Sequence, residues 1–544
     1  MFVRKKTSKS NPNIYFQLAE SYREGDTVKQ KVIKHIGTAK DEQQVKQMQI
    51  LGEQLKNLYA SNATEVEIEQ YYQKEISKIQ QSSPSLFNCK KIHTKKLGLH
   101  DIYGKILDEM GLSKILKSKK YNVILKDLIM AKISKPSSKR KAIQILSEDF
   151  GIKHKLNEIY KMMDQIDENV IKVIQKKIAE YSKHLLSGSI HVLYYDVTTI
   201  YFESFTEDEL KRLGFSKDNK FNQPQLVLTM LVSDKGLPLG YQLLPGNTYE
   251  GNTLITAIKA WREQYPEQRF TLVADSGLLN DLNINTLEQE NIDYIVAARI
   301  KNLPRITKEE IFNVKELCNR NKDWFFDIKC DNNRRLVVSY KVKRASKDKY
   351  DREKNLNKLM KKLNFSKNPS SFINNYGYKK FIDIDKNSQV TINEAKITEQ
   401  ERWDGLHGII TNVNELSAKE IYGQYKGLWQ IEDAFRINKT DLKIRPIFHW
   451  TLKRILSHIC LSYITYACYK SAEFILHKQG ILLSHRAIKD KLNKVEATIY
   501  KDKTTKEVYF FPEQLDEETM EIYKIFNVTP ESEPYCCTLM YQAQ

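Results

Sequence analysis

Cysteine is scarce in this chain and carries no pattern. Seven occur in 544 residues, namely Cys89, Cys318, Cys330, Cys460, Cys468, Cys536 and Cys537. They form no CxxC pair and no zinc spacing, and their odd number argues against a disulfide framework. A reducing, cytoplasmic setting is expected. Long apolar runs are missing too. No stretch of about 18 uncharged apolar residues occurs, so no membrane span is expected. The most apolar segment, Ile455 to Leu476, is broken by His458, Lys470 and Glu473 and reads as a buried helix. Met1-Phe2-Val3-Arg4-Lys5-Lys6 lacks the apolar core of a signal peptide. No segment pairs a basic face with a clear apolar one, which disfavours a membrane-surface role.

Basic charge is plentiful. Lys and Arg total 87 against 68 Asp and Glu, a net of +19. Apolar residues at 41% and aromatics at 10% are enough for real cores and against wholesale disorder. The length suggests several domains of roughly 100–200 residues each. The charge favours a polyanionic partner, nucleic acid before an anionic membrane. It is concentrated between Lys329 and Lys367, where 14 basic residues face 4 acidic ones.

Pattern divides the chain into six segments. Residues 1–88 read as a small α+β unit, with a hairpin around Glu24-Gly25-Asp26 and then a charged helix from about Glu42 to Gln80. Residues 89–187 read as a helical DNA-binding domain, with a helix-turn-helix-like pair around Gly151. Residues 188–300 give the order strand, strand, strand, helix, strand, helix, strand. This matches an RNase H-like core, a mixed sheet flanked by helices. Residues 301–400 interrupt that α/β core as a basic, β-rich insertion. Residues 401–478 resume it, and 479–544 form a less regular accessory region.

Two acids end apolar strand patterns. Asp196 lies in Leu193-Tyr194-Tyr195-Asp196-Val197, and Asp275 in Leu272-Val273-Ala274-Asp275-Ser276-Gly277. Neighbouring strands would bring both carboxylates to one sheet edge, a set of hard oxygen donors suited to Mg²⁺. Asp is also common where strands turn, for turn reasons alone. A third acid follows on a helix whose start is marked by Ser417 with Glu420. Tyr425, Leu428, Glu432, Arg436 and Lys439 follow one another at steps of three and four, so a continuous helix places them on one face. Glu432 is then the candidate third ligand, with Arg436 and Lys439 as phosphate contacts. A solvated Glu–Arg pair is the simpler alternative. His449 and His458 read as packed histidines, without metal-ligand spacing.

In their order, these segments resemble the DDE transposases of bacterial insertion sequences, in the group with an inserted β domain and a YREK box, Tyr-x2-Arg-x3-Glu-x6-Lys. Tyr425, Glu432 and Lys439 fall in register, while Leu428 takes the Arg position, for which Lys426 or Arg436 could substitute. Further matches are Asp275-Ser276-Gly277, Phe215-Ser216-Lys217-Asp218, Gly246 to Asn252, Asp404-Gly405, Thr411-Asn412 and Arg445-Pro446. The 157 residues from Asp275 to Glu432 suit an insertion. The resemblance implies strand cleavage at element ends and strand transfer into target DNA. It implies Asp196, Asp275 and Glu432 as catalytic residues holding two Mg²⁺ ions (Mn²⁺ substituting), and a homodimer on DNA in the nucleoid. It also implies Tyr425 and Lys439 on backbone phosphates and an inserted-domain tryptophan, Trp403 before Trp324, against a flipped base. A core role for Trp403 is the competing reading. An RNase H-like nuclease without strand transfer and a non-catalytic DNA-binding derivative are the functional alternatives.

Overall fold

The computed structural model describes residues 1–8, 11–24, 27–39, 42–61, 63–80, 89–264, 269–278, 280–330, 333–364, 381–384, 390–503 and 505–537. They fall into two compact units. One comprises Met1–Gly98, Ser147–Ile152 and Lys491–Gln544, the other Leu99–Leu146 and Lys153–Asp490.

The first unit opens with an antiparallel meander of β1 (Phe2–Ser8), β2 (Asn11–Glu24) and β3 (Thr27–Ala39). The hairpin expected near Glu24 is β2–β3. The single helix expected next is two, α1 (Glu42–Ala60) and α2 (Glu65–Gln80). Thr64 separates them. Its N–H and hydroxyl donate to the Glu67 carboxylate at 2.9 and 2.8 Å, a capping box that starts a new helix. Phe16, Leu18, Ile36, Met48, Leu51 and Leu55 form the core between sheet and helices. The chain then makes β4 (Cys89–Lys96).

Helices α3 (Gly98–Glu109), α4 (Lys119–Ser134), α5 (Lys139–Phe150), α6 (Leu156–Met163) and α7 (Glu168–Leu185) follow. Gly151, at φ +66°, separates α5 from α6. α6 buries Ile159, Met162 and Met163 and packs on α4.

The large mixed sheet comes next: β5 (Val192–Tyr201), β6 (Gln225–Ser233), β7 (Pro238–Pro245), α8 (Thr253–Gln264), β8 (Thr271–Ala274), α9 (Asp281–Gln289) and β9 (Asp293–Ala298). In space the strands run β7-β6-β5-β8-β9. β6 is antiparallel to both neighbours, whereas β8 is parallel to β5 and β9. This is the RNase H-like mixed sheet read from the strand order. The core strands are apolar along their length because helices cover the sheet.

The inserted interval holds α10 (Arg305–Leu317), β10 (Trp324–Lys329), β11 (Arg335–Tyr340), α11 (Val342–Asn364), β12 (Ile382–Ile384), β13 (Val390–Ile392) and α12 (Glu394–Glu401). Among its described residues helix outweighs strand, so the insertion is mixed rather than β-rich. The Lys- and Arg-rich stretch that suggested strands is mostly the 23-residue α11. Nor is its main β part a separate sheet. β14 (Leu406–Thr411) pairs with β9, β11 with β14, and β10 with β11, extending the large mixed sheet to eight strands.

Beyond β14 run α13 (Ala418–Lys426), α14 (Trp429–Arg436), a π-helical turn Ile437–Asp441 and α15 (Leu452–Lys478). α15 is the apolar segment noted above and is buried through most of its length. Among the described residues no helix is long and apolar enough to cross a membrane. The C-terminal region is more regular than its sequence suggests. It contains α16 (His485–Leu492), β15 (Glu496–Asp502), β16 (Val508–Pro512), α17 (Glu517–Ile525) and β17 (Tyr535–Cys536). β15 pairs with β4, about 400 residues earlier, which local pattern cannot reveal.

Trp403 is not available to a base. It is 7% exposed, packs edge-on against Phe312 at 4.6 Å between ring centres, and shares a core with Ile311, Val338 and Leu406. The adjoining Asp404-Gly405 is structural as well. Asp404 accepts two hydrogen bonds from the buried Arg352, at 2.6 and 2.8 Å, and Gly405 turns at φ +80°. Trp324 is half-buried and stacks on Tyr340 at 5.2 Å. Trp403→Ala is expected to destabilise the fold by about 3–5 kcal/mol through the cavity it leaves. Thermal unfolding of the variant measures this; an unchanged midpoint would contradict a core role.

Candidate active site

β5 and β8 are in parallel register, with Tyr195 opposite Ala274. Asp196 and Asp275 are the next residues of each strand, so the backbone itself sets the two acids side by side. β5 does not end at Asp196, as its sequence pattern suggested, but continues to Tyr201. Leu193, Tyr195 and Val197 face one core of the sheet, which turns Asp196 to the opposite face by strand alternation. Asp275 starts a 3₁₀ turn and accepts from the Ser276 N–H at 2.7 Å.

The helix with the third acid lies across that face. α13 begins at the expected capping box, where the Ser417 N–H donates to Glu420 at 2.8 Å. At Gly427 and Leu428, α13 gives way to α14 through a tighter turn of i→i+3 hydrogen bonds. Tyr194, one residue before Tyr195 on β5, donates its hydroxyl to Gln424 O at 2.9 Å. A Cβ on Gly427 would lie 1.8 Å from that hydroxyl, so only glycine fits. α14 then packs on β5 and β6 and presents Glu432. After it, the π turn Ile437–Asp441 carries Lys439, and its end is held by the buried Lys132, which donates to Leu442 O at 2.9 Å. π turns are uncommon and often mark functional positions.

Charge at the site is unbalanced. Burial pushes the Asp196 carboxyl up to about 6, and the negative Glu250 and Asp275 add to this, against the nearby Lys217 ammonium. Lys217 donates to Val197 O at 2.5 Å and pairs with Glu250 at 2.9 Å. Burial lowers Lys439 to about 8, with repulsion from Lys217 contributing and Asp196 opposing. Lys439 pairs with Asp218 at 3.5 Å, and Asp218 also pairs with Arg445. The Tyr425 hydroxyl donates to Asp275 at 3.4 Å. Burial, then Asp275 and Glu432, raise its proton affinity, while the Arg344 guanidinium opposes them. The Tyr425 ring lies 4.9 Å from that of His407, which burial and Arg344 lower to about 4, leaving a neutral imidazole.

Asp196, Asp275, Tyr425, Glu432 and Lys439 thus share one region of the sheet face. Arg436 does not join them. It pairs with Asp433 at 3.0 Å and with Asp441 at 3.8 Å. Lys426 is exposed, with its ammonium 5.7 Å from the Tyr422 ring, and Leu428 is buried. Arg436 follows Glu432 by one turn within α14, but its side chain turns to Asp433 and Asp441 instead of the site. Arg344, Lys217, Asp218, Glu250 and Arg445 were not assigned from sequence. Four of them lie in the quoted segments Phe215–Asp218, Gly246–Asn252 and Arg445-Pro446. Arg344 had no signal beyond the basic run. His449 and His458 are packed: His458 hydrogen-bonds Ile444 O at 3.0 Å and His449 lies edge-on to Tyr160.

Among the described residues no group of three or more His, Cys, Asp or Glu is drawn together closely enough to hold a metal ion. The donor chemistry nonetheless fits a hard divalent cation: three carboxylates, two on adjacent strands, with like charge raising Asp196.

Residues 188–468 match the Transposase DDE domain family, and residues 3–66 match the IS1634 family transposase N-terminal domain. The chain belongs to the DDE transposases. Among solved structures it is similar to the piggyBac transposase synaptic complex with hairpin DNA, at 10% identity and TM-score 0.38, covering 73% of this chain and 78% of that one. It is also similar to the Mos1 transposase paired-end complex with left transposon end, at 15% identity and TM-score 0.15, covering 45% and 72%. No curated protein matches it. This transposase is therefore a DNA-cleaving and strand-transferring enzyme of an insertion sequence, in a family that depends on divalent metal.

The raised Asp196 carboxyl carries a stability consequence. Its folded value, about 6, exceeds the ordinary 3.8, so the wild-type transposase loses stability as pH rises from 4 through 6. In metal-free buffer at pH 7–8, Asp196→Asn should be more stable than wild type by about 1–3 kcal/mol, with the gap closing below about pH 4. Thermal melts at several pH values check this; a variant less stable at every pH would refute it.

Proposed function

We propose that Asp196, Asp275 and Glu432 are the catalytic carboxylates of this transposase and hold two Mg²⁺ ions, which Mn²⁺ can replace. The observation that carries this reading is the parallel β5–β8 register, which sets the two aspartates side by side beneath the helix bearing Glu432. Bound metal supplies Lewis acidity, activating a water or a DNA 3′-hydroxyl and stabilising the leaving oxygen. The chain's own part is positioning and charge. Tyr425 orients Asp275 through its hydrogen bond and, with Lys439, grips backbone phosphates of the cleaved strand. Lys439, at about 8, stays mainly cationic at neutral pH. Arg344 supplies the cation missing at Leu428, since its charge is felt by Tyr425, Tyr422 and His407 together. Lys426 is a peripheral phosphate contact.

The enzyme nicks the ends of its element and then joins the freed 3′-hydroxyl to target DNA. Residues 89–187 and the inserted interval 301–400 supply further DNA contacts. On α11, the exposed Lys343, Lys347, Lys354, Lys358 and Lys361 recur at steps of three, four and seven, a cationic stripe suited to a phosphate backbone. Arg352 on the same helix is buried in its pair with Asp404 and has no such role. The protein works as a homodimer on DNA, because two ends must be joined, in the nucleoid of the bacterial cytoplasm.

Asp196→Ala, Asp275→Ala and Glu432→Ala should each reduce Mg²⁺-dependent cleavage of element-end DNA to background while keeping DNA affinity. Cleavage at the wild-type rate by any one variant would remove that residue from the set. Lys439→Ala should weaken binding at all sequences and reduce the slope of log affinity against log salt by about 1. An unchanged slope would show that Lys439 makes no phosphate contact.

A further inference from the structure

Four large aromatic side chains stand in water on two connections, one of which carries Lys217, a charged neighbour of Asp196. Phe215 is 76% exposed, Phe221 55%, Phe448 68% and Trp450 71%. Phe215 and Phe221 lie in the β5–β6 connection, and Phe448 and Trp450 follow Arg445. The two connections meet. The Ile447 N–H donates to Tyr201 O at 3.2 Å, and Arg445 pairs with Asp218. The Tyr201 ring has Lys220 at 5.6 Å and Arg445 at 6.0 Å. Lys217 and Asp218, which reach Val197 and Lys439, stand between Phe215 and Phe221 in the chain.

The exposure is built, not the accident of a loose tip. The fully buried Gln225 donates its side-chain N–H to Phe215 O at 2.8 Å and to Gly246 O at 3.2 Å. Its backbone exchanges two hydrogen bonds with Arg212. Gly214 is pressed so closely on Gly246 O that a Cβ would lie 2.2 Å from it. The buried Ser216 hydroxyl accepts from the Asp218 and Lys220 N–H groups at 3.3 and 3.1 Å. The backbone under both phenylalanines is therefore fixed, and their rings, 6.5 Å apart and tilted by 58°, point outward.

We propose that Phe215 and Phe221, with Phe448 and Trp450 flanking, form a stacking platform for unpaired bases of the DNA strand at the Asp196 site. This rests on the reading of that site as the centre of DNA cleavage. Charge selects the occupant. Lys217 and Lys220 lie between Phe215 and Phe221 along the chain, Arg445 precedes Phe448, and Asp218 is neutralised by Lys439 and Arg445. Aromatic faces among cations match unstacked bases on a phosphate backbone, as in single-strand binding surfaces. Unpaired bases arise wherever the duplex is opened to bring a scissile phosphate into an edge-on site, and unstacking them costs a few kcal/mol unless a platform replaces the lost stack.

The test uses the full-length protein in EDTA and two fluorescein-labelled probes, a random-sequence duplex and the same duplex with a run of unpaired thymines at its centre. Wild type should bind the opened probe more tightly. The Phe215→Ala/Phe221→Ala variant should lose about five- to a hundred-fold in affinity for that probe, with duplex affinity unchanged, and Phe215→Tyr/Phe221→Tyr should restore it. An unchanged preference in the alanine variant, or an equal loss on both probes, overturns the platform. So does a change in oligomeric mass by light scattering with DNA preference intact, which would assign the rings to a protein contact. If wild type binds neither probe, the reading of the site itself fails and the platform with it.

Discussion

The hydroxyl of Tyr194 decides where the third carboxylate can be. Strand alternation places this side chain on the same face of β5 as Asp196. Its bond to Gln424 O pins α13, and its closeness to Gly427 leaves room only for glycine at the junction with α14. The contact thus converts a local property of one strand into the spacing of a site whose members lie hundreds of residues apart. One end of the helical segment is fixed by a hydrogen bond to the sheet, and the other by the buried Lys132 ammonium at Leu442.

Electrostatics explain why such anchoring is needed. Asp196 is buried next to two other acids and is held in that state by packing, at a cost in stability, with Lys217 as the nearest relief. Lys439 carries the complementary burden: an ammonium that burial weakens, kept in place by Asp218. Opposite charges that would neutralise each other in contact are kept on separate supports, Asp196 in the sheet and Lys439 in a π turn. Sites that must accept a highly charged substrate commonly store such imbalance in the apo fold.

Much of this could be read in the sequence, and the exceptions have physical causes. The sheet order was legible because each strand from β5 to β9 is an uninterrupted apolar run bounded by turn residues. Asp196 and Asp275 were legible as carboxylates beside such runs. The helix start ahead of Glu432 was legible through the capping box at Ser417. Arg436 shares the helix of Glu432, as periodicity required, but pairs with Asp433 and Asp441, which spacing alone does not reveal. Trp403 was assigned by its position beside Asp404-Gly405, whereas burial depends on Phe312 and Leu406 arriving from distant segments. The β4–β15 pairing and the role of Arg344 share that cause, since long-range contacts leave no local trace.

The insertion enters the catalytic sheet and leaves it on a single strand pair, with Gly408 of β14 opposite Ala298 of β9. Its two ends are therefore held a few ångströms apart by main-chain hydrogen bonds, whatever lies between. Seen this way, the segment is a cassette on a fixed mount. Its part beyond α11 can lengthen or shorten without shifting Glu432, because β10 and β11, which pack on α13, stay on the sheet and the entropy of a longer loop grows only slowly. A chain of this kind can diversify what it grips while its chemistry stays put.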